Sequence, residues 1–545
     1  MDRYYQVGTT DTSDSPTGAD NNSGATLLIT RLLFGATGLY FLASLLLGFF
    51  SSRLGFNPWL HILYTAFALI AAYLLCGFIK RLTISARLTN ILLIAALLVA
   101  GIAMLIVTNA MYYQPRWDQW AVVQGGYQLA TMGTLDYFNQ DAPVWTHFEN
   151  VLLNFARFPQ QWGGALLFGL IFKIAGIFSP EFSIHTASSI ATILLTLVSV
   201  WFLFKIVVHR LGNNHAIFML VITLTFIPFY AITAVYYTNV MSLPFGIGGL
   251  YFYDKWLETR RIRYIVAGAL LFAFGALLIG NIAILVVAIL FGFLFLQNLS
   301  LRSKLINIAI MLVTILVITQ ASSFFFNRQF DGQEHLFETM QTPLEVWVMV
   351  GMNEQSAGAV TQEDVDAYLL YPTMAERRVA ARNELERRLD DMGVEGLVRH
   401  QHRKFVVNFM DGTFQITHFV FGVKNNPIVE TLTRATTRDT LYQVLSSVQL
   451  IAMQLVIAVW LIKRALTDRL RVNNFDFVLV LSLFGLFLFL AIWESGSRLI
   501  VNFLPMLMYL FLSSLPIGVS PDSEDLPIAG KMRNIFLRQK EGANV

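Results

Sequence analysis

The chain has 545 residues, 56% of them hydrophobic and 13% charged, with a formal net charge of +3 and a mean hydropathy of +0.59. That balance excludes an ordinary soluble globule and a disordered chain alike, and leaves an all-α polytopic membrane protein. The small positive excess follows membrane topology, so no nucleic-acid partner is expected, and a single cysteine, Cys76, excludes a disulfide framework and a cysteine-based metal site.

In chain order, residues 1–25 are polar and rich in Ser, Thr, Asp, Asn and Gly, and read as a disordered cytosolic tail without a cleavable signal. Residues 26–321 carry the main transmembrane module. Apolar runs long enough to cross a bilayer stand at 26–50, 59–79 and 89–111, and again at 186–208, 215–233, 239–254, 262–279, 281–298 and 304–321. Three more, at 442–462, 475–493 and 497–517, form a C-terminal group within residues 442–517, for a total of about twelve. Lys80, Arg81 and Arg87, then Arg210, then Lys255, Arg260, Arg261 and Arg263, then Arg302 and Lys304, then Lys463, Arg464, Arg469 and Arg471 fall on one face if the N-terminus is inside. That face is expected to be cytoplasmic, with both termini there, including the tail at 518–545 with Lys531, Arg533, Arg538 and Lys540. The charge pattern holds only if Gly164 to Phe178 does not cross, so this stretch reads as an interfacial or re-entrant helix belonging to a large outer loop at 112–180.

The same orientation puts residues 322–441 outside as a small extracytoplasmic domain. Within it, Ala375 to Arg399 has helical composition with interspersed charges, broken at Met392-Gly393, and its charges read as a solvated face with i,i+4 pairs. Asp364 and Asp366 form an Asp-x-Asp pair; a capping or loop role is favoured over a divalent-ion site because no further ligand stands nearby.

Chemistry concentrates in three polar stretches beside the spans. Asp118, flanked by Arg116, Trp117 and Trp120, is an isolated carboxylate just past the third apolar run. It suits a membrane enzyme meeting a lipid-borne substrate at the water interface, and it equally suits a solvated anchor. Asp136, Asp141, His147 and Glu149 are secondary acid or base candidates in the same loop, and structural roles are favoured for them. Gln160 and Gln161, after Phe158-Pro159, can hydrogen-bond a hydroxyl-rich ligand or cap helix ends. Tyr236-Tyr237-Thr238-Asn239 precedes Ser242-Leu243-Pro244-Phe245 between two spans and reads either as substrate contact or as aromatic belt and cap. Trp493-Glu494-Ser495-Gly496-Ser497-Arg498 joins the last two spans; Glu494 and Arg498 can pair with each other, or Arg498 can grip a phosphate bidentately.

In combination these residues resemble the GT-C superfamily of membrane glycosyltransferases, in the bacterial polyprenyl-phosphate-sugar-dependent layout of protein mannosyltransferases and aminoarabinose transferases. The resemblance runs from residue 112 to 510. It rests on Asp118, on Phe155-Ala156-Arg157-Phe158-Pro159-Gln160-Gln161, and on the Tyr237 to Phe245 run, which is similar to "YTDxxxLPF". It rests also on Trp493 to Arg498 with Pro505, which resembles "WExRxRY…P", and on Thr342-Pro343, Trp347 to Asn353 and Phe409 to Phe414. The resemblance implies a bundle with an extracytoplasmic active site in the plasma membrane. It implies a polyprenyl-phosphate sugar as donor and Asp118 as general base. The acceptor would be a cell-wall polysaccharide, teichoic acid, lipid-linked glycan or protein. Substrate contacts are then expected from Trp117, Arg157, Gln160, Gln161, Tyr237, Asn239, Glu494 and Arg498, with membrane lipid as the other partner. No cofactor is expected, and no metal, because one Arg can offset the charge of a monophosphate leaving group.

The chain departs from that pattern at four places: Asn239 stands where relatives have Asp, Gly280-Asn281 where they often have a basic residue before proline, and Gly496 and Leu499 where "RxRY" has Arg and Tyr. The principal rival is a transporter or flippase for a lipid-linked glycan, since twelve spans with both termini inside is a common carrier layout. Against it, no internal repeat is found, and the spans are nearly free of charge apart from Arg31 and Lys205 near their ends. A non-catalytic anchoring protein displaying residues 322–441 is the third reading.

Overall fold

The computed structural model describes residues 24–51, 57–111, 117–135, 151–295, 299–416, 437–467 and 474–517. Among these residues every regular element is a helix and none is a strand. The tails, Arg116, the candidates Asp136, Asp141, His147 and Glu149, and Arg469 and Arg471 lie outside the described residues. Within the described residues each of the twelve apolar runs is mainly helical. Among the described residues eight helices are long and apolar enough to cross a membrane: Thr26–Gly48, Pro58–Ile79, Ala86–Ala110, Pro159–Phe178, Ile184–Leu211, Leu301–Arg328, Tyr442–Leu466 and Asn474–Ile492. Four more apolar helices, Asn213–Thr225, Ile262–Leu278, Gly280–Phe295 and Ser497–Ser513, are shorter.

The differences from the expected spans have local causes. The run at 215–233 breaks at Phe226, where Pro228 cannot continue the hydrogen-bond ladder and starts a new helix, Ile227–Ile232. The run at 239–254 breaks into Thr238–Met241 and Leu243–Thr259, with Pro244 in the first turn of the second. Pro159–Phe178 qualifies by length because a 3₁₀ turn, Pro159–Gln161, runs directly into Trp162–Phe178. The loop read at 112–180 is itself largely helical, with Trp117–Thr131 and Val151–Arg157 ahead of that helix.

Beyond the end of Leu301–Arg328, three short helices, His335–Met340, Leu344–Gly351 and Gln362–Leu369, lead to one long one, Met374–Phe405. Met374–Phe405 begins at a capping box between Thr373 and Glu376, and the expected break falls at Gly393, whose φ of 56° is left-handed and suits glycine. The expected charge pairs are present: Arg387 to Glu384 and Asp391, both 2.7 Å, and Arg388 to Glu384, 2.8 Å. Asp364 is structural, as expected. It is buried against Arg388 at 2.5 Å and accepts from Asn353, while Asp366 accepts from Gln362.

In an apolar solvent helices gain little from burying more apolar surface, so close backbone approach at small residues holds them together. Gly163 lies so near the Leu277 carbonyl that a methyl group there would overlap it, whereas Gly77 has nothing within 4 Å of the same position. Gly163→Ala should therefore lower stability by about 1–3 kcal/mol, and Gly77→Ala should leave it unchanged or raise it by about 0.5–1 kcal/mol. Thermal unfolding in detergent would measure both.

Candidate functional site

The site is built around the connection between Asn474–Ile492 and the 3₁₀ helix Ser497–Phe503. Its side chains Glu494 and Ser495 are buried and Arg498 is partly so. A helix end leaves its last carbonyls and the next helix its first N–H groups without backbone partners, and burial makes each unmade bond costly. Here side chains from one continuous segment, residues 400–415, supply most of the partners. Lys404 Nζ donates to the carbonyls of Trp493 (2.6 Å), Gly351 (2.7 Å) and Ala491 (3.2 Å), and Gln401 Nε2 donates to Ala491 (3.0 Å). Asn408 Oδ1 accepts from the Gly496 N–H at 2.7 Å, and Asp411 Oδ2 accepts from Ser497 Oγ at 2.7 Å. Gln415 Oε1 accepts from Arg498 Nη1 at 2.9 Å. From a second segment, the Gly358 carbonyl accepts from the Ser495 N–H at 2.7 Å.

Lys404 and Asn408 stand one turn apart on a helix passing into a π turn, Val406–Met410, and Asp411 and Gln415 follow in non-helical backbone, so one short segment reads the connection residue by residue. The segment ends under strain. Phe414 (φ 52°) and Gln415 (φ 59°) are both left-handed without being glycine, a cost of roughly 1–3 kcal/mol each that is met most often at functional sites.

Arg498 is held at both ends of its guanidinium, by Gln415 and by Glu494 Oε1 at 3.0 Å. Of the two expectations for this turn, the Glu494–Arg498 pair is therefore formed. Both substitutions in the Asn239 and Asn281 positions find a reason here. Asn239 Nδ2 donates to the Arg498 carbonyl at 2.9 Å, and Asn281 Nδ2 donates to the Leu499 carbonyl at 2.8 Å. At position 239 an ionised aspartate, which only accepts, could not make that bond. Tyr237, Asn239, Phe414, Ile416, Arg498 and Val501 line one small pocket.

The Trp117–Thr131 helix reaches this neighbourhood through Gly164. A methyl group there would press on the side chains of both Val122 and Thr238, so Gly164 lets these two helices pack closely beside Asn239. Asp118 is the second residue of that helix, one turn before Val122. The side chains of Trp117 and Asp118 lie outside the described residues. Gln161 is buried and accepts from Asn154 at 3.1 Å, which is a structural contact, whereas Gln160 is exposed. Arg157 sits 6.0 Å over the Phe158 ring, and its carbonyl accepts from the Thr342 N–H at 3.1 Å. Phe158, Trp347, Trp493 and Phe489 then follow one another at centroid separations of 6.0, 6.4 and 5.3 Å, joining three of the sequence stretches in one aromatic column.

Burial pushes Lys404 down to about 7, against the pull of the Glu494 carboxylate. Burial also lowers His400, which keeps Nε2 protonated to donate to the Gly351 carbonyl at 2.9 Å. Lys404, Asn408 and Gln415 escaped the sequence reading. The signal was there in KFVVNFMDGTFQ, whose polar residues recur every three or four positions within an apolar run.

A model for a family described as conserved hypothetical integral membrane protein matches residues 182–518. No curated protein matches the chain. Among solved structures, the archaeal oligosaccharyltransferase AglB from Archaeoglobus fulgidus, in complex with an inhibitory peptide and a dolichol-phosphate, matches with TM-score 0.39 and 11% identity over 77% of this chain. That match covers 50% of the AglB chain, so this chain spans about half the length of that relative. ArnT from Cupriavidus metallidurans matches in the apo state (TM-score 0.34, 11% identity, 78% of this chain and 77% of that one) and bound to undecaprenyl phosphate (TM-score 0.35, 13% identity, 79% and 78%).

Replacing Asn408 by Ala strands the buried Gly496 N–H, and the loss should be about 1–3 kcal/mol. A midpoint shift in thermal unfolding of the purified protein would read it.

Proposed function

We propose that this chain, which belongs to the family of conserved hypothetical integral membrane proteins, is a multi-pass glycosyltransferase. It moves one hexosyl or pentosyl unit from a polyprenyl-phosphate carrier to an extracytoplasmic acceptor, a cell-wall polysaccharide, teichoic acid, lipid-linked glycan or protein. The observation that supports this most is the convergence on Arg498 of three stretches distant in sequence: Tyr237 and Asn239, Phe414 and Gln415, and Glu494 itself. In this reading residues 322–441 stand outside the membrane beside the site, and both termini are cytoplasmic.

The chemistry asks for two groups. The acceptor hydroxyl oxygen attacks the anomeric carbon, the bond from that carbon to the phosphate oxygen breaks, and the electron pair leaves with the lipid monophosphate. Asp118 takes the hydroxyl proton as general base, a contribution of roughly 10²–10⁴ in rate. Arg498 stabilises the charge that develops on the phosphate, and Glu494 and Gln415 hold its guanidinium ready in a partly desolvated place where such stabilisation is strong. Tyr237, Asn239, Trp117, Arg157 and Gln160 surround the sugar and its carrier. Since one guanidinium offsets a monophosphate, the reaction runs without a divalent metal, and a chelator should leave transfer unchanged when added to purified protein with its lipid-linked donor.

Asp118→Asn should reduce incorporation of labelled sugar into surface glycans by at least about a hundredfold while leaving the protein's amount in the membrane unaltered. Normal glycosylation by a normally expressed variant sinks the assignment of Asp118. Loss of lipid-linked glycan flipping with transfer intact would identify a carrier instead.

A further inference from the structure

Lys404 is the most thoroughly enclosed cation near the site, 1% exposed, and the catalytic reading gives it no part. An ammonium has three donors and no acceptor. Here three carbonyls receive them, and all three belong to helix ends: Gly351 closes Leu344–Gly351, and Ala491 and Trp493 close Asn474–Ile492. Carbonyls at such ends carry the partial negative charge of the helix dipole, which suits a buried cation. The two helices are also pressed together at this point, for a methyl group on Gly351 would overlap the carbonyls of Ile492 and Trp493. The residue after Trp493 is Glu494, the partner of Arg498.

We propose that Lys404 is a positioning residue for Arg498: by tying the Trp493 carbonyl to the end of the Leu344–Gly351 helix, it sets where the Glu494–Arg498 pair meets a lipid phosphate. This rests on the reading of Arg498 as the group that holds the leaving phosphate. The charged and titratable groups around Lys404 are Glu494 and, beyond it, Arg498 from the turn, Glu354 from the loop after Gly351, and His400 and Arg403 from its own helix. Only Glu494 among them bears appreciably on its proton, and it favours the ammonium. When the proton leaves, two donors remain for three carbonyls and the tie slackens. The ammonium is present below about pH 7 and is lost as pH rises through that value, so phosphate binding weakens on the alkaline side.

The test uses the full chain in detergent or vesicles and reads binding of undecaprenyl monophosphate alongside sugar transfer, as a function of pH. Lys404→Met should weaken lipid-phosphate binding and raise the donor KM by about tenfold or more, up to about a hundredfold for a displacement near 1 Å. Lys404→Arg, which keeps the cation but does not titrate here, should remove the alkaline loss of binding while retaining transfer. Arg498→Ala is the reference. If it does not weaken lipid-phosphate binding, the reading of Arg498 fails. If Arg498→Ala weakens binding but Lys404→Arg keeps the wild-type pH dependence, the positioning role is overturned, whether or not Lys404→Met folds. A Lys404→Met protein that folds less well but binds and turns over with wild-type KM also overturns it.

Discussion

Helix ends are the governing constraint in this molecule. A helix satisfies its own backbone along its length, but its first N–H groups and last carbonyls must find partners elsewhere, and in an apolar protein water supplies few of them. Where Asn474–Ile492 stops and Ser497–Phe503 begins, two such ends meet within five residues. Lys404, Asn408, Asp411, Gln415, Asn239 and Asn281 all point polar atoms at that junction. The same bonds that close the backbone there also fix Arg498. The polar centre is thus a product of what the fold requires as well as of chemistry.

The opposite end of the bundle solves a different problem with the same means. Asp254 is fully buried on Leu243–Thr259, and it is paired with Arg210 Nε at 2.5 Å and His209 Nδ1 at 2.9 Å. Arg210 in turn lies 4.8 Å over the Phe475 ring. A buried carboxylate is tolerable because two bases at the end of Ile184–Leu211 meet it. Two ends of the apolar body are therefore pinned by short polar networks.

Much of the fold was readable in the sequence, since within the described residues every apolar run of bilayer length is mainly helical and the break at Gly393 falls where a glycine interrupts a charged helical stretch. What was not readable was how long each helix would be: Pro228 and Pro244 divide runs that hydropathy alone joins, and Pro159 starts a turn that lengthens a helix that charge counting had set aside. The site was readable in part. Arg498, Glu494, Tyr237 and Asn239 do come together, because polar residues in short connections between apolar helices have few places to go. Gln161 does not join them, being spent on Asn154. Lys404 and Gln415 were hidden because their roles depend on carbonyls and a guanidinium 53 to 89 residues away, and no local pattern encodes such distances.

The left-handed pair at Phe414 and Gln415 has a consequence for how this chain can change. Glycine at position 415 would relax the backbone, whereas at Phe414, a buried core residue, it would empty packed space and cost more than the strain it relieves. At position 415 the same change deletes the amide that holds Arg498. Position 415 thus gives up backbone ease for the placement of the guanidinium.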